Sequence, residues 1–364
     1  MRRRAFLTSG ATVAGVGLAG CVSREGENGG TAGTTDDDDD VLKVATYNSF
    51  VDAPSDSPGE WIADEFAERY DVEFEWQTPE QELNHYINRH NEGAEIEPEL
   101  YLGLSPHELV RADREVEGDG DLFAETDKDA LENVVDVEEE YYFDPHDRVI
   151  PTYSSYCAIV YDGRNVDTPE TFEDLLDPEY EGEIGVSNPQ RGTTGLLFLL
   201  WTIDQFGDDG YLEYWEELME NDARVLDSWS DVYAQFEEDE IPVVVSYAND
   251  RVYAKRFEND LEKHQVSLLN DQAYANVSGM VRFADGTDDE LATQFMDFIL
   301  EPEVQSVIAE RNVTGPVNEE TELPEVYEEY ANVPDDTPFF GYEELEENLD
   351  EWLSDWEQTV AGNY

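Results

Sequence analysis

Ninety acidic residues against 20 basic ones give this 364-residue chain a formal net charge of −70. Repulsion on that scale allows either a chain that never packs or a fold that carries its carboxylates on the surface over a well-sealed apolar interior. Aromatic content decides between the two, because disordered segments are poor in it. Here 20 Tyr, 16 Phe and 7 Trp are spread through regular apolar patterns. The expectation is a folded protein with a salt-adapted, halophilic surface. Lysine occurs only at Lys43, Lys128, Lys255 and Lys263. With no basic patch to neutralise phosphates, nucleic acid is excluded as a partner.

The N-terminus reads as an export signal. Arg2, Arg3 and Arg4 precede a short small-residue apolar stretch that ends in Leu18-Ala19-Gly20-Cys21, which is too short and weakly apolar for a spanning helix. The paired arginines resemble a twin-arginine signal, and the closing run resembles a lipoprotein processing box. These features predict that residues 1–21 are a signal peptide, with Cys21 lipidated and the chain tethered at the outer face of the cell membrane. Residues 22–40 hold Gly, Ser, Thr and an acidic run, which makes them a flexible linker. Besides Cys21 only Cys157 is present, so no intrachain disulfide is expected. Cys157 lies in an apolar run and reads as a buried structural thiol.

From residue 41 onward, short apolar runs alternate with amphipathic segments. Strands are predicted at 41–46, 72–76, 100–104, 183–186, 224–226 and 243–247. Helices are predicted at 60–70, 81–91, 172–176, 195–206, 211–221, 230–237, 289–299, 302–311 and 343–359. Such alternation implies an α/β fold with parallel sheet and right-handed crossovers. Two extended runs, 148–161 and 273–283, read as the chain crossing between two lobes. The division is lobe 1 at 41–152 plus 276–364, including the C-terminal helices, and lobe 2 at 153–275. The cleft between them is the natural ligand site.

Enzyme signatures are missing: the sequence contains no G-x-S-x-G, H-E-x-x-H, phosphate-loop lysine or C-x-x-C. The chain therefore reads as a non-enzyme, without cofactor or metal site. Its five His residues do not cluster at metal-ligand spacing, and each reads as a surface histidine. Paired carboxylates are too abundant to inform. Aromatics at strand ends say more, since strand C-termini face the crevice of an open α/β sheet. Tyr47 follows the first strand, Trp229 opens a helix after a strand, Tyr247 closes a strand, and Tyr253 comes six residues later. Gly192 and Thr193 lie in Asn188–Gly195, directly before an apolar helix whose first N–H groups would face a polar or anionic group.

At these residues the chain resembles the thiamine-binding proteins of ABC importers, within the two-lobed extracellular solute-binding superfamily. The resemblance spans roughly residues 42–364. It rests on Thr46-Tyr47-Asn48-Ser49-Phe50, Leu102-Gly103-Leu104, Val160-Tyr161-Asp162, Asn188-Pro189 through Gly195 to Leu200-Trp201, Ser228-Trp229-Ser230-Asp231-Val232-Tyr233, Ser246-Tyr247 with Tyr253, Pro316-Val317-Asn318, and Trp352 to Trp356. The family implies a type II periplasmic-binding-protein-like fold, each lobe a central sheet flanked by helices, in which Tyr47, Trp229, Tyr247 and Tyr253 form the ligand's aromatic walls. It further implies Gly192 and Thr193 at the ligand's hydroxyl or phosphate end, and Glu80 or Gln81 as a contact, with Asp250 able to add a carboxylate. The implied partners are thiamine or a thiamine phosphate, an ABC permease and, through lipid, the membrane; the protein would act as a monomer. Where the family carries a tryptophan in a late loop, this chain has Val313, and another is replaced near Pro54.

The alternatives are a ferric-ion binding protein using Tyr141-Tyr142, a polyamine-binding protein using clustered carboxylates, a secreted hydrolase and a structural surface lipoprotein.

Overall fold

A computed structural model describes residues 41–360 apart from 54, 55, 119, 288, 335 and 336. The predicted signal peptide with Cys21, and the predicted linker 22–40, lie outside the described residues.

The first elements follow the hydrophobic periodicity. Strand β1 (Val41–Thr46) passes through one turn of helix, α1 (Asn48–Val51), into α2 (Gly59–Tyr70). Helix α2 buries Ile62 and Phe66 and stops at Asp71, which takes a left-handed φ of 57°. Then come β2 (Glu73–Gln77), α3 (Leu83–Asn91) and β3 (Leu100–Leu104). Strand β1 pairs in parallel with both β2 and β3, so α2 and α3 serve as the crossovers that parallel pairing requires. Helix α4 (Pro106–Glu115) is not among the expected elements, although its start is written in Ser105-Pro106-His107-Glu108. Ser105 and Glu108 close a reciprocal capping box there.

Strand β4 (Val149–Tyr161) is 13 residues long and belongs to both halves of the sheet. After it come β5 (Ile184–Ser187), α5 (Thr193–Glu220), β6 (Arg224–Leu226), α6 (Trp229–Glu237), β7 (Val243–Tyr247), α7 (Asp250–Arg256) and β8 (Gln265–Ser267). Strand β9 (Tyr274–Arg282) returns the chain to the first half. There α8 (Asp289–Ile299), α9 (Pro302–Asn312), β10 (Gly315–Pro316), α10 (Glu325–Tyr330) and α11 (Tyr342–Val360) follow. The sheet order is β2-β1-β3-β9-β4-β7-β5-β6, with β8 and β10 also pairing to β4. Antiparallel pairing of β4 with β9 runs from Val149↔Val281 to Cys157↔Tyr274. From Cys157 to Tyr161 the same strand pairs with β7. The two extended runs read from the sequence are thus two neighbouring strands that join the halves.

Two local expectations are refined. The helices expected at 195–206 and 211–221 run on as α5, broken at Gly207, whose φ of 70° and ψ of 174° are not helical. The helix expected at 172–176 is only a 3-10 turn at Asp174–Leu176.

Helix α11 touches both halves. Its Trp356 meets Trp215 of α5 edge-on at 5.4 Å, and Trp352 donates from Nε1 to Asp208 Oδ1 at 2.9 Å. On the other side Arg114 of α4 pairs with Asp350 at 2.7 Å. Among the described residues no helix is long and apolar enough to cross a membrane.

Arg148 fastens the start of β4. Its guanidinium bonds Asp113 of α4 at 2.8 and 2.9 Å and also Asp144, whose side chain is fully buried. Burial alone would raise the Asp144 carboxyl, but Arg148 and two backbone N–H donors outweigh it and hold the group below the usual Asp range. A depressed carboxyl contributes stability above its unfolded pKa of about 4 and loses it as pH falls through the lower folded value. Asp144→Asn should therefore cost about 2–3 kcal/mol at pH 7, and urea unfolding should find that deficit shrinking toward zero as the pH is taken below about 3.

Gly195 illustrates a second constraint, a helix start pressed onto a strand end. A Cβ at this position would lie 1.9 Å from the carbonyl oxygen of Ser187 in β5. Gly195→Ala should destabilise the fold by about 2 kcal/mol or more, read as a lower urea midpoint with an unchanged slope.

Candidate functional site

The strand-end aromatics emerge from the sheet where the sequence places them. Tyr47 leaves β1 with extended φ/ψ of −79° and 152°. Its ring lies against Gly103 so closely that a Cβ there would stand 2.6 Å from Tyr47 Cε1. Gly103 also has a φ of 100° at a register shift between β3 and β9, so only glycine suits the position. The Tyr47 hydroxyl accepts from Tyr153 Oη at 3.0 Å and from Asn312 Nδ2 at 3.1 Å. Burial pushes this phenol up to about 12, so it stays neutral.

Across the sheet, Trp229 is the first residue of α6, behind the N-cap Ser228, whose side chain accepts from the Asp231 N–H. Its Nε1 donates to Ser246 Oγ at 3.0 Å. The indole stacks on Tyr233 at 4.9 Å with planes 29° apart, and reaches Tyr247 at 6.2 Å. Burial raises the Tyr247 phenol, and the neighbouring Cys157 and Tyr47 add to the effect. Tyr47 of one half and the Tyr247 segment of the other are joined by one link: Tyr47 Oη accepts from Asn312, and the carbonyl of the next residue, Val313, accepts from Asn249, two residues after Tyr247. Tyr253 of α7 packs on Phe257 at 4.6 Å. Tyr47, Trp229, Tyr233, Tyr247 and Tyr253 are each only partly buried, unlike Trp201 and Trp215, which fill the core.

The remaining residues divide into three groups. Gly192 is the N-cap of α5 and Thr193 its first residue, and no side chain caps this helix. The first-turn N–H groups thus have no side-chain partner, which leaves them able to bind an anion or hydroxyl. Glu80 and Gln81 lie in the β2–α3 connection and line an open recess of ≈ 500 Å³ together with Glu82, Asn84, Asn88, Arg111 and Glu115. Glu82 in that recess carries backbone strain, with φ 47° and ψ −128°. Burial and the nearby Glu108 raise its carboxyl, and Glu82 in turn acts on the Tyr47 phenol. Asp250 is buried, and both its oxygens are engaged. Oδ1 accepts from Tyr233 Oη at 2.5 Å and Oδ2 meets His264 Nδ1 at 2.8 Å.

His264 departs from the surface reading given to all five histidines, being only 1% exposed. It and Tyr233 are the functional candidates that sequence reasoning missed. Tyr233 was within reach, because it sits four residues after Trp229 on one helix face. His264 comes from a distant segment and left no local signal. Cys157 is buried as expected, and burial raises its thiol. Val313, where the family's tryptophan would fall, ends α9 in a left-handed conformation with φ 55°, and its carbonyl accepts from Asn249 Nδ2 at 3.3 Å.

Comparison with known proteins places the family and the fold. The family model described as bacterial extracellular solute-binding protein matches residues 119–339. The thiamine-binding periplasmic protein of Escherichia coli (strain K12) is 26% identical over 322 residues, covering 88% of this chain and 94% of that protein. A solved periplasmic thiamin binding protein superposes with a TM-score of 0.72 at 25% identity, over 88% of this chain and 96% of that one. A ferric binding protein from Campylobacter jejuni reaches 0.71 at 18% identity, over 87% and 99% respectively, which speaks for the fold alone. The architecture is the type II periplasmic-binding-protein-like α/β fold anticipated from the sequence, a non-enzymatic one in these relatives, and the chain belongs to the bacterial extracellular solute-binding proteins.

Proposed function

We propose that this chain captures thiamine or a thiamine phosphate between its two lobes and hands it to the permease of an ABC importer. The observation that carries the reading is the meeting of the Trp229 and Tyr247 rings, 6.2 Å apart, with Tyr47 of the opposite half tied to the same segment through Asn312 and Val313. A thiazolium and an aminopyrimidine are both flat and electron-poor, and each cation–π contact with such faces contributes about 0.5–2 kcal/mol. The surrounding charge of −70 draws a cation inward. The uncapped start of α5 at Gly192 and Thr193 suits the hydroxyl or phosphate end. Glu80 and Gln81, with the strained Glu82, offer carboxylate and amide contacts from the first lobe. The names of the thiamine-binding relatives support the same ligand.

The lobes are taken as 41–152 plus 276–364 and as 153–275, boundaries that fall within β4 and β9. The N-terminal pattern adds export through a twin-arginine-like signal and a lipid on Cys21, which tethers a monomer at the outer membrane face in a high-salt habitat. The ferric reading finds less support. Tyr141 turns its hydroxyl toward Tyr156 at 3.4 Å, while Tyr142 lies under the Lys128 ammonium at 4.4 Å, so the two phenols diverge.

Thermal melts in molar salt with thiamine, its phosphates, spermidine and ferric citrate test the assignment. Thiamine or an ester at a hundredfold excess over Kd should stabilise the chain by about 2.7 kcal/mol and raise Tm by several degrees. Trp229→Ala should weaken thiamine binding by tenfold or more, since about 1.4 kcal/mol corresponds to a factor of ten. A thiamine shift that survives this substitution intact would remove the aromatic wall from the argument.

The salt-adapted surface makes a separate forecast. Diluting salt from 1 M to 0.1 M lengthens the screening distance from about 3 Å to about 10 Å, so carboxylate repulsion should lower Tm without ligand. An equal Tm at both salt concentrations would speak against a halophilic surface.

A further inference from the structure

Behind the aromatic wall lies a polar chain whose middle members, Asp250 and His264, are buried. Trp229 is held at its edge by Ser246 Oγ and at its back by the ring of Tyr233. Tyr233 is itself tied at the hydroxyl end by Asp250 Oδ1 at 2.5 Å, and Asp250 is fixed from its other oxygen by His264 Nδ1 at 2.8 Å. The far ring nitrogen of His264 lies 3.5 Å from Glu237 Oε1. The edge of the ring system is packed by Phe236 at 5.5 Å. Segments from three places therefore converge: α6 supplies Trp229, Tyr233, Phe236 and Glu237, α7 supplies Asp250, and the residue before β8 supplies His264.

We propose that Asp250 and His264 are positioning residues that, through Tyr233, hold the indole of Trp229 face-on to the flat ring of the bound guest. The ligand in this statement rests on the reading of the wall as the thiamine site. Asp250 does not present a free carboxylate to the ligand, because both its oxygens face protein donors. Its charge instead orders a phenol. A buried hydroxyl that donates to a carboxylate is held more strongly than one with a neutral partner, and losing that acceptor would leave a buried donor unpaired. Burial, then Asp250 itself, pushes the Tyr233 phenol far up, which keeps it a donor at every working pH. With its hydroxyl end fixed, the Tyr233 ring cannot rotate away from Trp229, and a rigid wall loses less entropy on binding than a mobile one.

The proton pattern supplies a test that simple packing would fail. In the native chain the carboxylate accepts from both neighbours, so Nδ1 carries a proton. The charged groups facing His264 are Asp250 from α7 and Glu237 from α6, with Tyr233 as the other titratable neighbour. The adjoining Lys263 ammonium is directed to Glu237 O and Asp239 Oδ1. In Asp250→Asn, the amide oxygen can still accept from Tyr233 while its N–H donates to an unprotonated Nδ1, the imidazole proton moving to Nε2 beside Glu237. In Tyr233→Phe the ring remains but its hydroxyl tie to Asp250 is gone, so a loss that Asp250→Ala causes through Tyr233 should not add to the loss already present.

The experiment labels the full chain with 5-fluorotryptophan and assigns the Trp229 fluorine resonance as the one missing in Trp229→Phe. Thiamine affinity is measured in parallel at about pH 7.5. Asp250→Ala should shift or broaden the Trp229 resonance and weaken thiamine tenfold or more. Asp250→Asn should match the native chain within about twofold, and Asp250→Ala added to Tyr233→Phe should cost no more than about twofold beyond Tyr233→Phe alone. An Asp250→Ala chain with native resonance and affinity overturns the proposal, and so does an Asp250→Ala loss that is undiminished in the Tyr233→Phe background. If the native chain ignores thiamine altogether, the vitamin reading alone is overturned, because the fluorine resonance still reports whether Asp250 and His264 place the indole.

Discussion

The pairing of β4 with β9 is the interaction on which the remaining architecture depends. Both strands are long enough to serve the two halves of the sheet, and β4 is the strand that Tyr47 and Tyr247 both rest on. Tyr153 on β4 sits under the Tyr47 hydroxyl, and Cys157 on the same strand lies opposite Tyr247 of β7. A slip of one residue would turn each of these side chains to the other face. The ladder is therefore also the ruler that places Tyr153 under Tyr47 and Cys157 opposite Tyr247. Burial on both faces makes the register strongly specified, since nearly all of Val149–Tyr161 is enclosed.

Charge imposes the second constraint. Cations are scarce, and several are shared among carboxylates. Arg164 serves Asp162, Asp239 and Asp260, Arg148 serves Asp113 and Asp144, and Arg69 serves Glu65 and Glu301. Exposed pairs of this kind contribute little individually, but they place positive charge where separate segments meet. The aromatic wall by contrast consists of neutral rings in an acidic molecule. Such a combination favours a flat cationic guest, which gains from the field at long range and from the ring faces at contact.

Much of this was legible in the sequence, for identifiable reasons. Strong apolar periodicity marks β1, β7, α8 and α9, and the structure places them within a residue or two of the reading. Strand-end aromatics could be located because α/β topology sends strand C-termini toward one crevice. Helix α4 is signalled by its Ser105 and Glu108 capping box and not by its apolar content, since Pro106–Glu115 holds few apolar residues among its charges. Asp250 was legible as a carboxylate beside the site but not in its role, which depends on His264, 14 residues away and brought back by β8. Long-range polar chains of this sort leave no periodic trace. Glu82 illustrates another limit: its neighbours Glu80 and Gln81 were singled out, while the strained backbone that distinguishes it is invisible without coordinates.

Helix α11 has a mechanical consequence. Its C-terminal turns are fastened to α5 through Trp356 and Trp352, and its middle is fastened to α4 through Asp350. A rod clamped at both sheet halves cannot stay attached to each while they swing apart like the covers of a book. Either the rod travels with one half and unzips its indoles from the other, or the halves twist about its long axis and keep both sets of contacts. Any movement that pulls the halves straight apart must therefore break either the buried Trp215–Trp356 contact or the Arg114–Asp350 pair.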